Sequence, residues 1–72
     1  MTNLRNGSTG AEVKKLQQDL IDAGYDVGRT GADGFFGSNT MAAVKKYQQD
    51  NGLPVTGVAD VKTQVKLLGI PS

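Results

Sequence analysis

Apolar residues recur at helical spacing in separate stretches of this chain. Val13, Leu16, Leu20 and Ile21 make one stripe, and Val44 and Tyr47, with Ala43 beside them, make a second. Ahead of the first stripe, Thr9-Gly10-Ala11-Glu12 matches a capping box, in which hydroxyl and carboxylate satisfy backbone N–H groups at a helix start. Ala23-Gly24 supplies the stop, since glycine readily takes the left-handed conformation that ends a helix. Ser38 or Asn39 is the expected cap of the second helix, and Asn51-Gly52 its end. Asp60 opens a third, shorter helix through Leu68, closed by Gly69 with Pro71 just beyond. The pattern predicts an all-α fold, a compact three-helix bundle with shaped glycine-rich loops.

Between the first two helices, Tyr25 to Gly37 carries Gly28, Gly31, Gly34 and Gly37 and no helical period. Long loops inside small domains are uncommon and often functional. In Asp33-Gly34-Phe35-Phe36-Gly37 both glycines are expected at turns that a Cβ would obstruct, with positive φ making alanine costly at either. Leu53-Pro54-Val55-Thr56-Gly57 reads as extended, because proline disfavours helix at the residue before it. The chain also echoes itself. Val13-Lys14-Lys15-Leu16-Gln17-Gln18-Asp19 recurs as Val44-Lys45-Lys46-Tyr47-Gln48-Gln49-Asp50, and Gly34, Thr40 and Val44 are spaced like Gly57, Thr63 and Leu67. Such repetition suits a helix-loop unit used more than once.

Composition removes several chemistries. With 72 residues there is room for one domain, spanning 1–72. The absence of Cys and His excludes disulfides, thiolate or imidazole metal sites, and Ser-His or Cys-His nucleophilic catalysis. Eight Lys+Arg against seven Asp+Glu give a net charge of +1, too small a footprint for nucleic acid. No apolar run approaches the roughly 18 residues of a spanning helix, and no signal-peptide core is visible, so no membrane insertion is expected. Gly28-Arg29-Thr30-Gly31 lacks the Lys-Ser/Thr of a phosphate loop, and the acidic residues near Asp26 and Asp33 lack calcium-loop spacing. No cofactor, metal ligand or catalytic residue is expected.

Three interleaved patterns carry a family likeness. The first is Leu4-Arg5, Gly7-Ser8, Gly10, Val13, Leu16-Gln17, Leu20 and Gly24-Tyr25; the second is Asp33-Gly34, Phe36-Gly37, Thr40, Ala43-Val44 and Tyr47-Gln48; the third is Gly52-Leu53, Gly57 and Thr63. From about Leu4 to Leu68 the chain resembles the small three-helix peptidoglycan-binding domain, a targeting module of bacterial and phage cell-wall hydrolases. Two positions depart from that pattern: Thr56-Gly57 stands where a second Asp-Gly is usual, and Asp60 where glycine is common. The matrix metalloproteinase prodomain shares the fold, but blocks zinc with a cysteine that this chain lacks.

The resemblance implies a non-catalytic module that binds peptidoglycan, glycan strand or stem peptide, and brings a covalently linked or partner hydrolase to the wall. It implies a monomer acting at the cell wall or outside the cell, as part of a wall enzyme or phage lysin. The alternative is a protein-interaction or intramolecular regulatory module covering an enzyme cleft. The candidate ligand-binding residues are Tyr25, Asp26, Arg29, Asp33, Phe35, Asn39 and Thr40, converging on one rim if the long loop folds back over the second helix start. Phe36 is assigned to the core and Phe35 to the surface, where a free aromatic face can stack on a sugar. Asp26 and Asp33 can hold an ammonium, Arg29 a carboxylate, and the start of the second helix an anion. Plain readings stand beside these: Asp33 closing its own turn, Arg29 a solvated charge, Gln17 and Gln48 bonding loop backbone, and the lysines of the helices solubilising.

Overall fold

The computed structural model describes residues 2–69 and contains helices α1 (Ala11–Asp22), α2 (Ser38–Asp50) and α3 (Val61–Leu67). α1 packs against both α2 and α3. Its inward face is Val13, Leu16 and Leu20, with Gln17 buried among them. Ile21 does not join that stripe: it is 39% exposed, because Gln17 lies nearer the middle of the face and Ile21 falls at its edge. α2 contributes Ala43, Val44 and Tyr47, and α3 Leu67, to a core completed by Leu4, Val27, Phe36 and Ala59.

No strand forms among the described residues, yet the N-terminal segment is paired at both of its ends. Leu4 and Ala59 exchange backbone hydrogen bonds of 3.0 and 2.8 Å in an antiparallel bridge. Further along, Gly7 N–H donates to Phe36 O, Phe36 N–H to Ser8 O, and Gly10 N–H to Gly34 O. The segment therefore runs past both interhelical loops and ties each to α1. Ala59 and Phe36, the residues at these ties, are fully buried.

Two helix starts differ from the sequence expectation. Thr9 does not cap α1: its backbone is drawn into an antiparallel bridge with Phe35, and Gly10, at φ 118°, becomes the N-cap without a side-chain bond. Neither Ser38 nor Asn39 caps α2; both lie inside the helix, and the N-cap is Gly37. Asp60 does cap α3, its carboxylate accepting from Thr63 N–H at 2.9 Å. The helix ends follow the sequence signals, with Gly24 and Gly52 both at positive φ, while α3 stops at Leu67 with Leu68 as its C-cap. Pro71 lies outside the described residues.

Candidate functional site

The long loop is organised by one buried side chain. Gln17, 1% exposed, projects from α1 into the turn at Asp33-Gly34-Phe35. Its Oε1 accepts from Gly34 N–H at 2.8 Å, and its Nε2 donates to Phe35 O at 2.8 Å, to Thr40 Oγ1 at 3.0 Å and to Asp33 Oδ1 at 3.2 Å. A primary amide suits the place because it presents acceptor and donor in one plane to a backbone that offers N–H and C=O side by side. Gln48 does the same from α2. Its Oε1 accepts from Thr56 and Gly57 N–H, and its Nε2 donates to Val58 O at 2.9 Å and Thr63 Oγ1 at 3.1 Å. The echoed sequences are thus two copies of one device, an amide holding a Gly-centred turn to a threonine of the following helix.

Beside the first clamp lies an open concavity of about 210 Å³, lined by Gln17, Val27, Thr30, Asp33, Phe35, Gly37, Ser38, Asn39 and Thr40. Phe35 is 52% exposed, while Phe36, next in sequence, is fully buried. The Phe35 ring lies over Gly37, where a Cβ would come within 3.0 Å of its Cε2. Its backbone is fixed by Gln17, by the bridge to Thr9, and by Phe35 N–H donating to Asp33 Oδ1 at 2.9 Å. Gly28 backs onto Asn39: a Cβ there would meet Asn39 Nδ2 at 2.6 Å, so the loop does fold over the start of α2.

Asp33, Phe35, Asn39 and Thr40, of the residues singled out from sequence, line this concavity. Thr40 is buried, with its Oγ1 held by Gln17. The other three do not join them. Tyr25 packs edge-on against Tyr47, with ring centroids 5.5 Å apart, and its hydroxyl donates to Asp50 Oδ2 at 2.8 Å. Asp50 ends α2, about 16 Å along the axis from Asn39 at 1.5 Å per residue. Asp26 closes a local turn, its Oδ1 accepting from Gly28 N–H at 2.8 Å. Arg29 is exposed and has no ion-pair partner among the described residues. Gln17, Val27, Thr30 and Ser38 were not singled out as contacts; only Gln17 left a trace in the sequence, through the echo with Gln48.

Of the lining residues, Asp33 alone carries a charge. The Phe35 N–H, then the Thr30 hydroxyl and the Gln17 amide, hold its carboxyl below the usual range by bonding the ionised form. Tyr25 is shifted upward, chiefly because its proton is shared with the Asp50 carboxylate. No cluster of acidic side chains suited to a metal ion occurs among the described residues, and no helix there is long and apolar enough to cross a membrane.

Residues 9–67 match the family model for the putative peptidoglycan binding domain. This chain belongs to that family. An N-acetylmuramoyl-L-alanine amidase, CwlL of Bacillus licheniformis, is 39% identical over 69 residues, which are 96% of this chain and 19% of the amidase. The peptidoglycan-binding-domain fold is shared with the crystal structure of the SleB N-terminal domain, at TM-score 0.87 and 35% identity, over 94% of this chain and 90% of that one. A Burkholderia AP3 phage endolysin superposes at TM-score 0.84 and 39% identity, over 92% of this chain and 24% of the endolysin. The chain thus spans a small part of the curated enzyme and of the endolysin, and nearly the whole of the solved SleB domain.

Proposed function

We propose that this peptidoglycan-binding domain is a non-catalytic module that seats a segment of wall polymer in the concavity between Asp33 and Thr40. The observation that carries this reading is the half-exposed Phe35 ring, carried on a backbone that Gln17 holds and standing at the edge of an open, polar-lined depression. Exposed aromatics are ordinary singly, but one whose backbone is fixed beside a concavity has little chain freedom left to lose on binding. Val27, a core residue, lies at the floor of the concavity. Tyr25 and Asp26, at the start of the loop, serve its shape, and Arg29 its surface charge.

Catalysis finds little support in these residues. The one ionisable group of the concavity is held as a carboxylate and has no second carboxylate beside it among the lining residues. Attached to a hydrolase, a weakly binding module raises that enzyme's effective concentration at the wall. The likeness to an amidase and an endolysin supports that arrangement and action at the cell wall. The solved domain of nearly the same extent supports reading this chain as a single domain.

The test is sedimentation of the purified chain with insoluble sacculi. Wild type is expected to pellet and to release no soluble fragments. Phe35→Ala is expected to weaken pelleting several-fold while changing stability by less than about 0.5 kcal/mol, as exposed substitutions usually do. Lys46→Ala, on an outward face of α2, should alter neither. Loss of pelleting in Lys46→Ala with retention in Phe35→Ala would move the binding surface to the basic helix face.

A further inference from the structure

The lining of the concavity bears on which part of the wall it holds. Wall polymer offers two chemistries: an uncharged glycan of N-acetylated hexosamines, and stem peptides that carry free carboxylates and, in a diamino acid, an ammonium. Resting on the binding site proposed above, we infer that the concavity takes an N-acetylated sugar ring of the glycan strand, and that stem peptide stays outside it.

Three features favour the sugar. No lysine or arginine belongs to the lining, so a peptide carboxylate entering would find only the partial positive charge of the α2 start and would face the ionised Asp33. Carboxylate sites ordinarily use the paired N–H donors of arginine or an ammonium. As an ammonium clamp Asp33 would act alone and through one oxygen: its Oδ1 is already engaged by Phe35 N–H and Gln17 Nε2, and no second carboxylate stands beside it among the lining residues.

The Phe35 ring is the second feature. One side rests on Gly37 and the residue is 52% exposed, which leaves a flat apolar surface toward solvent. The face of a π-system is negative and attracts partially positive groups, including the C–H bonds of one side of a pyranose. Size is the third. A volume of about 210 Å³ falls below the roughly 300–1,000 Å³ of pockets that enclose drug-sized ligands, and suits one ring with the polymer continuing outside. Thr30, Ser38 and Asn39 supply uncharged donors and acceptors for hydroxyl and acetamido groups.

The experiment uses two separate competitors: glycan strands supplied as uncharged chitin oligosaccharides, which are chains of N-acetylglucosamine, and the stem peptides that an amidase releases from sacculi. Glycan strands are expected to displace wild-type chain from intact sacculi and to shift the backbone amide resonances of Phe35 and Gly37–Thr40. Stem peptide should do neither. Binding should also persist to about 1 M salt, where the screening length is about 3 Å and an ammonium–carboxylate contact at the surface would be lost. Displacement by peptide and not by glycan, or several-fold weakening with salt, overturns the inference while the site stands, provided Phe35→Ala still binds poorly. If Phe35→Ala binds sacculi like wild type, the site itself is wrong and the inference falls with it.

Discussion

The two glutamine clamps hold equivalent turns, and the open depression described above lies beside the first. Gln17 reaches Gly34 across 17 positions of chain, whereas Gln48 reaches Gly57 across 9. In the first turn Asp33 Oδ1 accepts from the N–H two residues on; in the second, Thr56 Oγ1 accepts from Val58 N–H at 3.1 Å. The family's usual aspartate is thus replaced at Thr56 by a hydroxyl that closes the same turn. Gly37 precedes α2 with no side-chain cap, while Asp60 at the matching place fills that role for α3. Space differs as well. A Cβ on Gly57 would meet Met41 Cγ and Lys45 Cε at 3.0 Å, so side chains of α2 cover the second turn, whereas the first is flanked by the half-exposed Phe35. Framework and function therefore separate within one repeated unit: the amide and threonine build the turn, and the longer loop with its bare helix start makes room beside it.

The largest expected effect comes from removing the shared part. Gln17→Ala and Gln48→Ala each leave several backbone and threonine groups without their partner, at about 1–3 kcal/mol for each that water cannot reach. A chain of this length has in all about 4–11 kcal/mol, at about 0.05–0.15 kcal/mol per residue. Both variants should lose roughly 10–20 °C in Tm, given about 4–8 °C per kcal/mol for domains of this size. Circular dichroism melts measure it. A wild-type melt for one and collapse for the other would break the equivalence of the clamps. At a temperature where both are folded, Gln17→Ala should have lost sacculus binding and Gln48→Ala kept it.

Next in size are the two turn glycines. Gly34 and Gly57 have φ of 83° and 80°, a region that costs an L-residue about 1–2 kcal/mol. At Gly34 the new methyl would sit 3.4 Å from Gly10 O, an ordinary contact; at Gly57 it would press on two flexible side chains that can yield. Gly34→Ala and Gly57→Ala should therefore melt at similar, lowered temperatures. Unchanged melting in either would mean that the turn relaxes to negative φ.

Much of this framework was legible in the sequence, and the reasons for success and failure differ by residue. Val13, Leu16, Leu20, Val44 and Tyr47 are read correctly because burial follows helical period. The repeat of Gln17 as Gln48, with Thr40 as Thr63, pointed to loop backbone as the amides' partner. The split of Phe35 from Phe36 follows from alternation along extended chain. The caps at Thr9 and Ser38 fail because long-range backbone pairing, not local side-chain chemistry, sets where α1 and α2 begin. The rim was only partly legible. That Tyr25 turns to Asp50 while Thr30 turns to the concavity depends on how the loop crosses α2, which no local pattern encodes.

Acid offers a finer probe of the same pair. Asp33 and Asp60 both have folded-state pKa values lowered by bonds to the ionised carboxylate, chiefly from Phe35 N–H and Thr63 N–H respectively. Their stabilising contribution is present above the unfolded value of about 3.9 and is lost as pH falls through the lower folded values. Stability should thus decline below about pH 4, the ordinary carboxylate range. The amide resonances of Phe35 and Thr63 should titrate there, whereas Val58, bonded to Thr56, should stay still. Asp33→Asn, which can keep the turn through its amide oxygen, should remove the Phe35 titration and leave that of Thr63. Titration of Val58 would show that the second turn relies on a carboxylate after all.

The smallest effect on stability is expected at Gly37, the residue that stands where α3 has its aspartate. Its φ of −105° and ψ of −165° are extended, open to any residue, so the sequence expectation of a positive φ does not hold and alanine meets no backbone strain. What alanine would meet is the Phe35 ring, at 3.0 Å from Cε2 and 3.4 Å from Cδ2. That ring is half exposed and can swing toward solvent. Gly37→Ala should change stability by less than about 0.5 kcal/mol, the reduced freedom of the unfolded chain offsetting part of the displaced contact. Binding should nevertheless fall several-fold, because the platform has moved. Asp60→Ala makes the opposite demand, costing about 1 kcal/mol as a lost helix cap with sacculus binding intact. Melts and sedimentation on these two variants test whether the uncapped start of α2 exists for Phe35. A Gly37→Ala protein that melts well below wild type would place the ring in the packed core, and one that binds sacculi fully would remove it from the binding surface.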